Sequence, residues 1–262
     1  MFQMPDRSRG PAFSFCGFIF VKRQLNPGDV HVWHRATASL DEATLLADVD
    51  LLSAEEKIRH ARFMFDRDKR DFAVAHALVR RVLSLYSATP PREWRFAGSP
   101  NQKPRVADEQ AGDPPLLFSL SHTHGVVACA VSRGLEVGID VESIDRIVDA
   151  AEVARRFFAP SEIAMLDACT ADEHSTRFVE LWTLKEAYVK AIGRGLIVPL
   201  DQFSFSFDDI GRIEFAAEPG MNAGPFAFKL LSLVSNTRVA VAVRCDDPSL
   251  VRIVAKGWSP AA

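Results

Sequence analysis

The chain has 262 residues, longer than one average domain and short for two large ones. Charged residues make up 25% and hydrophobic residues 48%, the ordinary balance of a soluble globular protein. A formal net charge of -3 excludes a global field that would draw in nucleic acid or anionic lipid, so any polyanion must meet a local basic cluster.

Residues 1 to 28 read as an extension, polar apart from the apolar run AFSFCGFIFV. That run is too short to span a bilayer, and no cleavage-site pattern follows it, so it reads as strand-like and not as an export signal. Cys16, Cys129, Cys169 and Cys245 are scattered with no zinc-like spacing, which fits free thiols in a reducing cytoplasm.

VHVWHRAT predicts a first strand from Val30. From Ser53 to Ala88 there is neither glycine nor proline, and Ser53 with Glu56 makes a capping box. Phe72, Ala75, Val79, Val82, Leu83 and Tyr86 recur at three- and four-residue steps and give a helix one core-facing stripe. The charged run Asp66 to Asp71 marks a helix start or a bend. Thr89 to Pro115 reads as a long loop carrying NQKPRV, and loops of that length are more often functional than idle.

LLFSLS, VVACAVS and LEVGIDV then predict three strands of an antiparallel meander, with Gly125 and Gly134 at the turns. Ala150 to Phe158 predicts a helix, Pro160 starts another, and Asp172 to Ile192 forms a long one ended by Gly193. FSFSF, GRIEF, FAFKLLSLV and RVAVAVRC read as further strands. The order gives an α+β fold of two similar lobes, each a mainly antiparallel sheet packed on helices. The division is an extension over 1–28, an N-terminal lobe over 29–142 and a C-terminal lobe over 143–250.

Three constellations carry chemistry. In VGIDVES, Asp140 and Glu142 lie on one face of a strand, because strand side chains alternate. They are either a solvated edge pair or two hard oxygen ligands for magnesium, which completes its shell with water and phosphate oxygens. Gly138 leaves room for a close neighbour or simply eases packing. In WTLKEAYVK, Trp182, Glu186 and Lys190 share a helix side, as a surface ion pair beside core or as acid and cation for a ligand. Lys185 points about a quarter turn away and would reach another part of that ligand. In FSLSHTHG, Ser121 and His122 end a strand, as a plain turn or a phosphate cradle.

Together these motifs resemble the 4′-phosphopantetheinyl transferase superfamily, in its two-lobed Sfp-like branch. VGIDVE matches that family's (V/I)G(I/V)D-x-E strand, and WTLKEAYVK its W-(S/T/C)-x-K-E-(A/S)-x-x-K helix. SLSH matches its S-H strand end, EEKIR its E-E-x-x-R helix, and QKP its G-K-P loop, with Gln102 where glycine is usual. The likeness covers roughly residues 30 to 245.

The resemblance implies a pseudo-duplicated transferase fold. It also implies transfer of the phosphopantetheine arm of coenzyme A to a serine of an apo acyl or peptidyl carrier protein, releasing adenosine 3′,5′-bisphosphate. It implies magnesium, with manganese as an alternative, held by Asp140, Glu186 and Glu142. Glu186 and Lys190 are then catalytic, and Lys190 neutralises the diphosphate. Arg59, Ser121, His122 and Lys185 contact coenzyme A, and Asn101, Gln102, Lys103 and Pro104 border its adenine end. Arg155, Arg156 or Arg194 would meet the carrier. A cytoplasmic monomer is expected, with neither nucleic acid nor membrane as a partner. The alternative is a coenzyme A- or carrier-binding protein without activity.

Overall fold

The computed structural model describes residues 23–98, 103–146, 149–193, 198–218 and 224–259. The apolar run at 12–21, Asn101, Gln102 and Arg194 lie outside the described residues. The first half runs through β1 (Asp29–Ala36), α1 (Glu42–Asp50), α2 (Ala54–Ala61) and α3 (Asp66–Ser84). Two short strands, β2 (Phe96–Ala97) and β3 (Arg105–Val106), and α4 (Asp108–Ala111) precede β4 (Leu116–Thr123) and β5 (Val126–Arg133).

The second half runs from β6 (Val137–Ser143) to α5 (Ala150–Phe157), α6 (Pro160–Asp167) and α7 (Ala171–Ile192). It continues through β7 (Phe203–Phe207), β8 (Ile213–Ala217), β9 (Phe226–Leu231), β10 (Thr237–Arg244) and β11 (Arg252–Gly257).

Local chemistry explains the helix ends. Ser53 Oγ accepts from Glu56 N at 3.1 Å, while Glu56 Oε2 accepts from Ser53 N at 2.8 Å, so two orphan donors of α2 are satisfied reciprocally. Glu173 Oε2 reaches back to Thr170 N at 3.2 Å before α7. At the other end of α7, Gly193 takes φ +69°, the left-handed conformation that closes a helix at least cost.

One sheet has the order β11-β1-β5-β4 and a second the order β6-β10-β9. Alternation along the strands gives each sheet two apolar faces. Val30, Val32, Val126, Ala128 and Ala130 meet Val137, Ile139, Val141, Val239, Val241 and Val243 in a core between the sheets. On the outer face of the first sheet, Trp33, Val127, Cys129 and Val131 pack on Val74, Ala75, Leu78, Val79 and Val82 of α3. On the outer face of the second, Ala240 and Ala242 pack on Leu184, Ala187 and Ala191 of α7. The α+β architecture is thus four layers, helix, sheet, sheet and helix, and the stripe expected on α3 is buried along its length.

Several sequence expectations need correction. The meander ends at β5, because β6 leaves the first sheet and pairs antiparallel with β10. A short turn fixes proximity but not pairing, and β6 lays its Val137, Ile139 and Val141 face onto the first sheet instead of beside it. β6 therefore belongs to the second sheet. Part of the long connection from Thr89 to Pro115 is ordered into β2, β3 and α4. Two further elements went unread, α1 and β11.

The last strand returns to the first sheet beside β1, in parallel register from Asp29↔Arg252 to His34↔Gly257. Arg252 donates to both carboxylate oxygens of Asp29, at 2.8 and 3.0 Å, and ties the chain end across the two halves. No helix among the described residues is long and apolar enough to cross a membrane.

Candidate functional site

The site is built where α7 lies against β6. A Cβ placed on Gly138 would stand 1.9 Å from Ala187 O and 2.5 Å from Ala191 N. Only hydrogen fits there, so glycine sets how close the helix can come. Ala187 and Ala191 are the chain neighbours of Glu186 and Lys190, so the same approach carries both functional side chains to the strand. Asp140 and Glu142 follow Gly138 at two-residue steps on the same face.

Lys190 Nζ donates to Asp140 Oδ1 at 2.6 Å and to Ser121 Oγ at 3.1 Å. Ser121 Oγ in turn donates to Asp140 Oδ1 at 2.8 Å. Asp140 is 5% exposed, and its Oδ2 is buried with no hydrogen-bond partner among the described residues. Glu142 accepts from Thr123 Oγ1 at 3.0 Å. Burial pushes the Glu186 carboxyl above the usual carboxylate range; the charge of Asp140 adds to the rise, Lys190 opposes it, and Glu142 adds a little more.

Three acids therefore share one neighbourhood with a single lysine. Among the described residues no group of three His, Cys, Asp or Glu side chains is already gathered as a metal cage. The donor set nonetheless fits a hard divalent cation. All three side chains offer oxygen, their mutual repulsion is relieved by a cation, and Asp140 Oδ2 is a desolvated acceptor without a donor. A cavity of about 320 Å³ is lined by Arg67 and Asp68 of α3, His124, Ser143 and Asp145, and the clustered acids and Lys190 do not line it.

The structure brings together Asp140, Glu142, Glu186, Lys190 and Ser121. His122 is exposed and, next to Ser121 on the strand, projects from the opposite face of β4. Arg59 is exposed on α2 with its guanidinium 5.4 Å above the ring of Phe72. Lys103 Nζ donates to Val137 O at 2.7 Å and to Glu136 Oε2 at 3.3 Å, at the start of β6. Pro104 precedes β3 and is exposed. Arg155 and Arg156 are exposed on α5.

Lys185 is a correction. Its side chain is fully buried and paired with buried Glu162 at 2.7 Å. Its other donors meet Leu200 O at 2.6 Å and Phe203 O at 2.7 Å. All three ammonium donors are used inside the second half, so none is left for a ligand. The quarter turn that was to carry it to another part of the ligand carries it into the core. Trp182 stacks with Phe158 and Phe178, at 6.3 and 6.2 Å between ring centres, and braces that core from the same helix.

Sequence reasoning found Ser121 but missed Ser119 and Thr123, which complete a row of hydroxyls on β4. Ser119, Ser121 and Thr123 alternate along LLFSLSHT and stitch β4 to β6, where Ser119 Oγ also accepts from Ile139 N at 3.1 Å. Their two-residue period was a readable signal.

Comparison with known proteins supplies the context. The model of the 4′-phosphopantetheinyl transferase superfamily matches residues 136–243, and that of the 4′-phosphopantetheinyl transferase N-terminal domain matches residues 38–133. The chain is 30% identical to 4′-phosphopantetheinyl transferase HetI of Nostoc sp. over 232 residues, 88% of this chain and 90% of that protein. It is 32% identical to 4′-phosphopantetheinyl transferase Sfp of Bacillus subtilis over 165 residues, 63% of this chain and 70% of that one. A third relative, 4′-phosphopantetheinyl transferase ffp of Bacillus subtilis, is 29% identical over 79% of this chain and 88% of its own.

Proposed function

The chain belongs to the 4′-phosphopantetheinyl transferase superfamily, and we propose that it moves the phosphopantetheine arm of coenzyme A onto a serine of an apo carrier protein. The observation that carries this reading is the buried, partnerless Oδ2 of Asp140 among three acids and Lys190. Asp140, Glu142 and Glu186 would hold magnesium, with manganese as an alternative. When bound, the cation withdraws charge from the diphosphate under attack and stabilises the leaving bisphosphate.

The residues of the chain do the rest. Lys190, already 2.6 Å from Asp140, offers its ammonium to the same diphosphate and drains charge from it. Ser121 orients both Asp140 and Lys190. The acceptor serine must lose its proton. Glu186 would take it, directly or through an intervening water, and the water route is favoured because a carboxylate that holds a divalent cation has lowered basicity.

We assign coenzyme contacts to the first half, with Arg59 and His122 directed to the 3′-phosphate and residues 101–104 to the adenine end. The cation helix belongs to the second half, where exposed Arg155 and Arg156 precede Phe157 as carrier contacts. Lys185 is assigned to the core and not to the coenzyme.

The test is direct. The protein, coenzyme A and magnesium are incubated with a panel of apo acyl and peptidyl carriers, and the carriers are weighed intact. A gain of one phosphopantetheine on the carrier serine, abolished by a chelator, is the expected result. No gain on any carrier, with coenzyme A binding retained, would leave a binding protein instead.

A further inference from the structure

The row of hydroxyls on β4 divides its work. Ser119 Oγ accepts from a backbone N–H of β6. Ser121 is shared between Asp140, Lys190 and Val141 N, the last at 3.4 Å. Thr123 Oγ1 donates to Glu142 Oε2 at 3.0 Å, and Thr123 is 1% exposed. Glutamate has three rotatable side-chain bonds, and holding its carboxylate in one place costs entropy that a fixed donor offsets.

Thr123 is itself held from behind. Asp71 of α3 is 5% exposed. It accepts from Thr37 Oγ1 and, at 3.4 Å, from Gly125 N in the β4–β5 turn. Its Oδ2 also faces His124 Nδ1 at 3.8 Å. Thr37 N donates to Gly125 O at 2.8 Å and closes the loop of contacts. One buried carboxylate thus fastens the end of β1 and the turn directly after Thr123 to α3.

We propose that Thr123 is a positioning residue that fixes the Glu142 carboxylate for a divalent cation, and that Asp71 keeps Thr123 in place by locking the β4–β5 turn. The inference rests on the reading of Glu142 as a cation ligand. It adds a first-half contribution to a cation site whose acids all come from the second.

The experiment measures Mn²⁺ binding to the full chain with coenzyme A present and no carrier, by the loss of the free-ion spin-resonance signal, alongside the unfolding midpoint. Glu142→Gln tests the underlying reading and Thr123→Val the inference. Thr123→Val is expected to weaken Mn²⁺ binding about ten- to a hundredfold, the usual cost of losing a partner that orients a ligand. Thr123→Ser, which keeps the hydroxyl, is expected to restore most of that loss.

Wild-type affinity in Thr123→Val, with Glu142→Gln weakened, overturns the inference and leaves the reading intact. Wild-type affinity in Glu142→Gln overturns both. Failure of serine to restore binding overturns the role of the hydroxyl. For Asp71→Asn, weaker Mn²⁺ binding by the folded protein supports the lock, and wild-type binding at a lowered midpoint overturns that part.

Discussion

Lys185 and Glu186 are neighbours in sequence and opposites in circumstance. On one side of α7, Lys185 meets Glu162, and every ammonium donor has a partner. Glu162 in turn accepts from Ala159 N at 3.0 Å and from Phe205 N at 2.9 Å. Burial alone would push Glu162 up and Lys185 down, and the charge of each works against the shift of the other. On the other side, Glu186, Asp140 and Glu142 face one lysine among the described residues, and Asp140 Oδ2 has no donor there. A buried charge matched one for one is architecture, whereas a buried surplus of one sign is a site waiting for a counter-ion.

The largest effect should come from unbalancing the structural side. Lys185→Met leaves Glu162 buried without its counter-charge and should cost about 3–5 kcal/mol. Denaturant unfolding would show it, while the molecules that remain folded still bind Mn²⁺ like wild type. Replacing the pair together, Lys185→Met with Glu162→Leu, should recover much of the stability. If the single variant unfolds no more easily than wild type, the contrast between the two sides is false.

Removing one acid from the surplus should do the reverse. Asp140→Asn is expected to lower kcat/KM about 10²–10³-fold in the carrier-labelling assay, the scale of losing a preorganised electrostatic contact. The unfolding midpoint should stay level or rise, since like charges are fewer. A large fall in the midpoint would make Asp140 part of the architecture instead.

Gly138→Ala acts on both sides at once by pushing α7 away from β6. It should cost about 1–3 kcal/mol, as overpacking does, together with weaker Mn²⁺ binding. A crystal structure with α7 unmoved would contradict it.

The smallest effect is in the pH dependence of the cation-free protein. The Glu186 carboxyl is raised above its unfolded value. Between those two values the folded state binds more protons, so stability falls as pH rises through that window. Glu186→Gln should remove that share of the slope, and Glu162, also raised, is common to both proteins and cancels in the difference. Divalent cation should flatten the wild-type curve within that window. Parallel stability curves for wild type and Glu186→Gln without cation would show that the surplus charge is not felt.

Particular residues show how far the sequence could be read. Ser53 and Glu56 cap a helix through contacts three residues apart, and the stripe from Phe72 to Tyr86 depends only on helical period. Asp140 and Glu142 fall on one face because strands alternate, and Glu186 and Lys190 fall together because helices repeat. Lys185 was misread because its partner Glu162 lies on another helix, and no period links the two. The strand β6 was misplaced because its partner β10 is almost a hundred residues later, with β9 beyond it. The final strand β11 went unread because it completes the sheet of the other half.

The sequence by itself determined most of the elements, their buried faces, and the placing of two acids on a strand and an acid with a lysine on a helix. Those are consequences of backbone period and residue type. Only the tertiary structure decided that these two faces meet, because the meeting depends on Gly138 admitting Ala187 O and Ala191 N to the strand. It also decided which charges are paired, since a charge becomes balanced or surplus only when distant parts of the chain exclude water around it together.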